Sequence, residues 1–151
     1  MGEDLIRTIR EVFELPERDY TQYAPLTLAY IGDNIYELVN RTVTVARGDK
    51  QADKLNRECS ARAKAPAQAR AVKMLLPGFT EQEAAVYRRG RNATVYTKAK
   101  NATFTEYHEA TGLEAVIGFL YLTGQYTRLT ELLSRAFDYL DQQPESEGNS
   151  V

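Results

Sequence analysis

The chain has 151 residues, 43% hydrophobic and 26% charged, which suits one domain with a full hydrophobic core and excludes a fibrous or low-complexity polymer. No apolar run is long enough to span a bilayer, the first residues show no secretory pattern, and the single cysteine, Cys59, cannot form an internal disulfide, so a cytoplasmic protein without a membrane partner is expected. The net charge of −2 conceals an asymmetry: residues 41–100 hold 14 Lys and Arg against 5 Asp and Glu, and the remainder holds 5 against 16. A basic surface on an acidic protein can attract phosphate in one place and repel it elsewhere.

Residues 3–14 form the first expected helix, with Leu5, Ile6, Ile9, Val12 and Phe13 on its apolar side and Pro16 beyond its end. A connecting segment over 17–25 follows, and Pro25 suits the first turn of a long helix that stops at Gly48. Along that helix Leu28, Ile31, Ile35, Leu38 and Val45 fall on or near one face, which predicts a buried stripe. Residues 52–63 are helical by composition, and Pro66 opens another helix that ends near Leu76, before Pro77-Gly78. Thr80-Glu81-Gln82-Glu83 is a capping-box pattern that starts a short helix through about Arg89. Residues 90–102 are basic and lack apolar periodicity, which predicts a loop. A helix over 104–123 is closed by Gly124, and a last one over 127–141 lines up Leu129, Leu132, Leu133, Ala136, Phe137 and Leu140. No strand pattern occurs. The expected fold is therefore all-α, one domain over 1–143 with a disordered polar tail over 144–151.

Two of these helices share a feature. Asp33 follows Gly32 in the middle of the apolar run from Leu28 to Leu38. Glu114 is the only charge between Thr111 and Leu122, and its neighbours at i−4 and i+4 are Ala110 and Gly118. Glycine inside a helix costs about 1 kcal/mol relative to alanine, a cost offset where another backbone must approach closely. An ordinary core helix with a solvated carboxylate accounts for either stretch alone. The two together favour a pair of carboxylates brought side by side by packed glycines.

Leu28-Ala29-Tyr30-Ile31-Gly32-Asp33 resembles the signature helix of the ribonuclease III catalytic domain, and Thr111-Gly112-Leu113-Glu114-Ala115-Val116-Ile117-Gly118 resembles its second acidic motif. With Arg88-Arg89-Gly90-Arg91-Asn92-Ala93 between them, the chain is similar over about residues 24–140 to the Mini-III branch, which has no separate double-stranded-RNA-binding domain. The resemblance implies a homodimer that cuts double-stranded RNA, matures the ends of large-subunit (23S) ribosomal RNA precursor and works with a ribosomal-protein helper. The chain departs from the larger family at three acidic positions, occupied here by Leu26, Ala29 and Thr111.

Asp33 and Glu114 are the expected catalytic residues and metal ligands. Oxygen ligands suit Mg²⁺, with Mn²⁺ as a substitute, and bound Mg²⁺ can activate water and stabilise a leaving oxygen. No nucleophilic residue is required. His108 lies six residues before Glu114, off its face, and reads as a surface histidine; with Cys59 it is too little for a zinc site. Thr111, one turn before Glu114, is placed to offer a hydroxyl to a metal-bound water. Arg88, Arg89, Arg91, Asn92, Lys98 and Lys100 are the expected contacts to the RNA backbone, with Lys54, Arg62 and Lys64 as second choices. A catalytically weak or silent duplex-RNA-binding protein on the same fold is the alternative, should Ala29 and Thr111 leave too few ligands. An all-helical nucleotide pyrophosphohydrolase would need several carboxylates at i, i+3 or i+4, and only Asp33 and Glu37 approach that pattern.

Overall fold

The computed structural model describes residues 4–93 and 104–142. The helices run α1 (Leu5–Val12), α2 (Pro25–Ala46), α3 (Ala52–Ala63), α4 (Ala65–Leu75), α5 (Glu81–Arg91), α6 (Phe104–Leu122) and α7 (Tyr126–Gln142), with short 3-10 turns at Tyr20–Gln22 and Leu76–Gly78. No strand occurs among the described residues, so the all-α expectation holds. Lys98, Lys100 and the tail over 144–151 lie outside them.

Local chemistry sets the helix ends. Pro25 stands in the first turn of α2, and Gly48, at φ 154°, ends it. The Thr80 hydroxyl accepts from the Glu83 backbone N–H at 3.1 Å and the Glu83 carboxylate accepts from the Thr80 N–H at 2.9 Å, the reciprocal pair of a capping box. The same carboxylate accepts from Arg128 at 2.8 and 2.9 Å, which ties the start of α5 to α7.

Helix α6 is the hub, packed by α2, α4, α5 and α7. Its residues from Glu109 to Leu120 are buried except Glu114, which is half-buried. A helix apolar all round belongs in the middle of a bundle. Leu113, Val116, Ile117 and Leu120 are fully enclosed with Leu28, Val72, Leu75, Leu132 and Leu133. Each such side chain contributes about 1.5–3 kcal/mol relative to exposure.

The glycines set how closely α2 approaches α6. A Cβ built on Gly32 would overlap the Glu114 carbonyl and lie 2.8 Å from the Gly118 backbone nitrogen. A Cβ on Gly118 would overlap the Leu28 carbonyl and lie 3.0 Å from Ile31 Cγ2. The helices therefore touch backbone to backbone, as the two glycine-carboxylate pairs predicted. Gly90 and Gly112 do the same for α5 and α6: a Cβ on Gly90 would stand 3.0 Å from the Gly112 Cα.

Several expectations are corrected. Leu28 and Ile35 are buried, but Leu38 and Val45 are exposed, so the α2 stripe narrows toward its C-terminal half. The reason is that α6 crosses α2 near Gly32, and beyond it the covered side is the one carrying Tyr36, Asn40 and Thr44, which faces α3 and α7. Helix α5 continues through Gly90 to Arg91, with Asn92 as its cap, because the absent side chain of Gly90 lets it lie on α6; of the loop expected over 90–102, residues 94–102 lie outside the described residues. Arg62, a second-choice RNA contact, is buried, with its guanidinium donating to Asn40 Oδ1 and Thr44 Oγ1 at 3.0 Å and to Asp141 at 2.9 and 3.1 Å. It ties α2, α3 and α7 together. The apolar side of α1 is only partly covered: Leu5, Val12 and Phe13 are exposed.

Candidate active site

Asp33 and Glu114 face each other across the glycine contact and line one open cleft of about 860 Å³. Asp33 is exposed, being on the outer side of α2, whereas Glu114 is half-buried beside the place where Gly32 and Gly118 bring the two backbones into contact. Glu37, Arg41, Tyr107 and Thr111 complete the walls. Burial, and then the neighbouring Asp33 carboxylate, push the Glu114 carboxyl up to about 8. Hydrogen bonding toward Asp33 acts in the same direction, and the Gln68 amide acts against it, favouring the charged form. Two carboxylates this close are held together by a proton or by a cation.

The positions that carry acids in the larger family contribute no charge here. Ala29 is buried beneath the cleft, one turn before Asp33, and Leu26 lies on its rim. The Thr111 hydroxyl donates to the Tyr107 carbonyl at 3.0 Å, so its proton is used within α6, and only its lone pairs are left for a further contact. Among the described residues no three His, Cys, Asp or Glu side chains gather as a metal cage. A magnesium ion does not require one, since it keeps several waters and takes one or two carboxylates with substrate phosphates. Asp33 and Glu114, two carboxylates lining one open cleft, fit that requirement.

The expected RNA contacts separate into two groups. Arg88 and Arg89 are exposed at the C-terminal end of α5, just before Gly90, which packs on α6 two residues before Glu114. Arg89 also donates to the Tyr23 carbonyl at 2.8 Å, fixing the segment that leads into α2. Arg91 and Asn92 line a separate cavity of about 230 Å³ with Phe104, Thr105 and His108. None of the four lines the main cleft, where Arg41 is the cation, 3.5 Å from Glu37. Lys98 and Lys100 are outside the described residues. His108 is half-buried rather than a surface residue, its ring 4.7 Å from that of Phe104.

Glu37 and Arg41 were legible as i+4 and i+8 from Asp33, a spacing that puts all three on one helical side. Gln68 was not, because nothing in the alanine-rich α4 says which of its faces meets Glu114.

The architecture and the paired carboxylates define a class. The ribonuclease III domain family model matches residues 26–125, and the chain belongs to that family. A crystal structure of a protein from Fusobacterium nucleatum superposes with a TM-score of 0.73 at 30% identity, over 78% of this chain and 96% of that one. Among curated relatives, Mini-ribonuclease 3 of Symbiobacterium thermophilum is 44% identical over 118 residues, 78% of this chain and 91% of its own. Mini-ribonuclease 3 of Clostridium tetani is 36% identical over 138 residues, 91% of each chain. Within the ribonuclease III family the chain is thus a member of the Mini-ribonuclease 3 branch, an endoribonuclease of the ribonuclease III class.

Proposed function

We propose that this endoribonuclease cleaves double-stranded RNA with a divalent cation, Mg²⁺ or Mn²⁺, held by Asp33 and Glu114, and that its substrate is the precursor of large-subunit (23S) ribosomal RNA, in the cytoplasm, with a ribosomal protein as helper. The observation that carries the reading is the convergence of these two carboxylates in one open cleft. When bound, the cation supplies an activated water and stabilises charge on the leaving oxygen. Asp33 meets it from the solvent side and Glu114 from the hub, while the buried Ala29 and the rim residue Leu26 add no competing charge. Arg88 and Arg89 bind the RNA backbone outside the cleft, with Arg91, Asn92, Lys98 and Lys100 extending that surface.

A homodimer is part of the proposal. Leu26, Tyr30, Leu38 and Val45 form an exposed apolar row along α2, Tyr30 being 83% exposed, and the first three border the cleft. A second copy would cover that row and extend the groove. Light scattering on the intact protein should give twice the chain mass.

The test is cleavage of unrelated RNA duplexes. The wild type should cut in Mg²⁺ or Mn²⁺ and stop in EDTA, and Asp33→Asn should bind duplex and leave it intact. A protein that binds duplex but never cuts it, with either cation, would favour the silent RNA-binding reading.

A further inference from the structure

Arginines that hold this fold together spend their donors. Arg62 and Arg128 direct their guanidinium groups at carboxylates and other oxygens of neighbouring helices, and Arg10 and Arg89 at backbone carbonyls. Arg41, in the wall of the cleft, does not. Its side chain is 67% exposed and makes no hydrogen bond to any described residue; its partner is Glu37, with Nε 3.5 Å from Oε2. A guanidinium carries five N–H donors, so this one keeps a full set for a ligand.

Its place on α2 says which ligand. Arg41 is eight residues after Asp33 and four after Glu37, so all three line one side of the helix. Long helical side chains lean toward the N-terminus, and the contact with Glu37 draws the guanidinium back to that residue's level. That level is one turn, about 5.4 Å, beyond Asp33. The step is comparable to the one between successive phosphates of an RNA strand. Glu37 is itself tethered, its Oε1 accepting from Asn40 Nδ2 at 3.3 Å. The cleft is otherwise acidic: Asp33, Glu37 and Glu114 line it, and Arg41 is the only cation among the described residues that do. A metal at Asp33 and Glu114 offsets the charge of one phosphate, and the neighbouring phosphate needs a cation of its own.

We propose that Arg41 grips the RNA backbone at the phosphate next to the one being cut, with Glu37 aiming its guanidinium along α2 toward Asp33. The proposal rests on the reading of this cleft as the place where Asp33 and Glu114 hold a cation against RNA. Arginine suits the task because its planar fork takes two oxygens of one phosphate, which a lysine ammonium does not match. Arg88 and Arg89 hold the duplex outside the cleft, whereas Arg41 seats one strand inside it.

The experiment is steady-state cleavage of an RNA duplex in Mg²⁺ over a salt series, for the wild type, Arg41→Gln and Arg41→Lys. Melting temperature and mass by light scattering are measured on the same samples. Both variants should melt within about 2 °C of wild type, because the side chain is exposed and hydrogen-bonds nothing in the fold. In Arg41→Gln, KM should rise about tenfold while kcat stays within about threefold, the pattern of a lost binding contact to a charged group. The slope of log kcat/KM against log salt should shrink by roughly one. Arg41→Lys should restore the slope, because the charge remains, and only part of KM, because the fork is gone. A wild-type KM and salt slope in Arg41→Gln overturn the proposal. So does a mass that falls to one chain, which puts Arg41 against a second copy, or a lysine variant no better than the glutamine one. If the wild type cuts no duplex in Mg²⁺ or Mn²⁺, the reading of the cleft itself fails and the proposal falls with it.

Discussion

Helices α2 and α6 carry the same local design, a carboxylate close to a glycine, in opposite surroundings. Helix α2 has one face on the core and one in solvent, so Asp33 is exposed beside Tyr30 and Leu38. Helix α6 is buried from Glu109 to Leu120 apart from Glu114, which is half-buried beside the backbone contact at Gly32 and Gly118. One carboxylate is thus hydrated and the other partly stripped of water, and the second retains a proton to about pH 8. Burying a charge next to a like charge destabilises the empty protein, and a divalent cation reverses the sign of that interaction. The difference between the two helices therefore makes a site that is strained when empty and relaxed when loaded.

The largest effect should come from neutralising either side. Asp33→Asn and Glu114→Gln should each lower duplex cleavage at least ~100-fold, the scale of losing an electrostatic contact to a transition state. Their stabilities should separate. At pH 9 in EDTA, Glu114→Gln should melt higher than the wild type, because it removes the desolvated charge, whereas Asp33→Asn should relieve the pair only by taking away the repelling neighbour. Equal melting temperatures for all three at that pH would break the comparison.

Closing the contact is next in size. Gly32→Leu or Gly118→Leu drives a side chain into backbone atoms of the facing helix, and overpacking of that kind costs about 1–3 kcal/mol, or more where backbone cannot move. Denaturant unfolding should report the upper part of that range. An unchanged midpoint would contradict backbone contact between α2 and α6.

The pH dependence is subtler. Glu114 titrates near 4.5 in the unfolded chain and near 8 in the fold, so the folded state binds the extra proton between those values. The stability it contributes is full below about 4.5 and is lost as pH rises through about 8. Melting temperature in EDTA should decline over that interval; Mg²⁺ should flatten the decline, and Asp33→Asn should only reduce it, because burial of Glu114 remains. A flat profile for the metal-free wild type would place Glu114 in an ordinary hydrated setting.

The smallest effect is on RNA affinity. Arg88→Ala with Arg89→Ala and Lys98→Ala should weaken binding to unrelated duplexes about equally and reduce its salt dependence. A loss confined to one RNA sequence would mean base reading rather than backbone contact.

Much of the fold was legible because helix periodicity, the Thr80 capping box, Pro25 and Gly124 are local signals. The carboxylate pair was legible because each acid stands next to or one turn from a glycine, a residue with little reason to be inside a helix except close approach. What the sequence hid depends on tertiary neighbours. Leu38 and Val45 have the right spacing for burial, but no helix covers them. Arg62 looks like any basic residue until Asp141, distant in sequence, closes on it. Gln68 sits among alanines, and its burial is set by how α4 docks on α6. The local patterns named the parts, and helix packing decided which faces met.

The central claim is that Asp33 and Glu114 share one divalent cation. A crystal of the wild-type protein soaked in Mn²⁺ and measured at the manganese absorption edge tests it most directly. The account predicts an anomalous peak between the two carboxylates, bound by an oxygen of each, with the remaining positions filled by water. No peak in the cleft, or a peak held by Asp33 with the Glu114 side chain turned away, would contradict it.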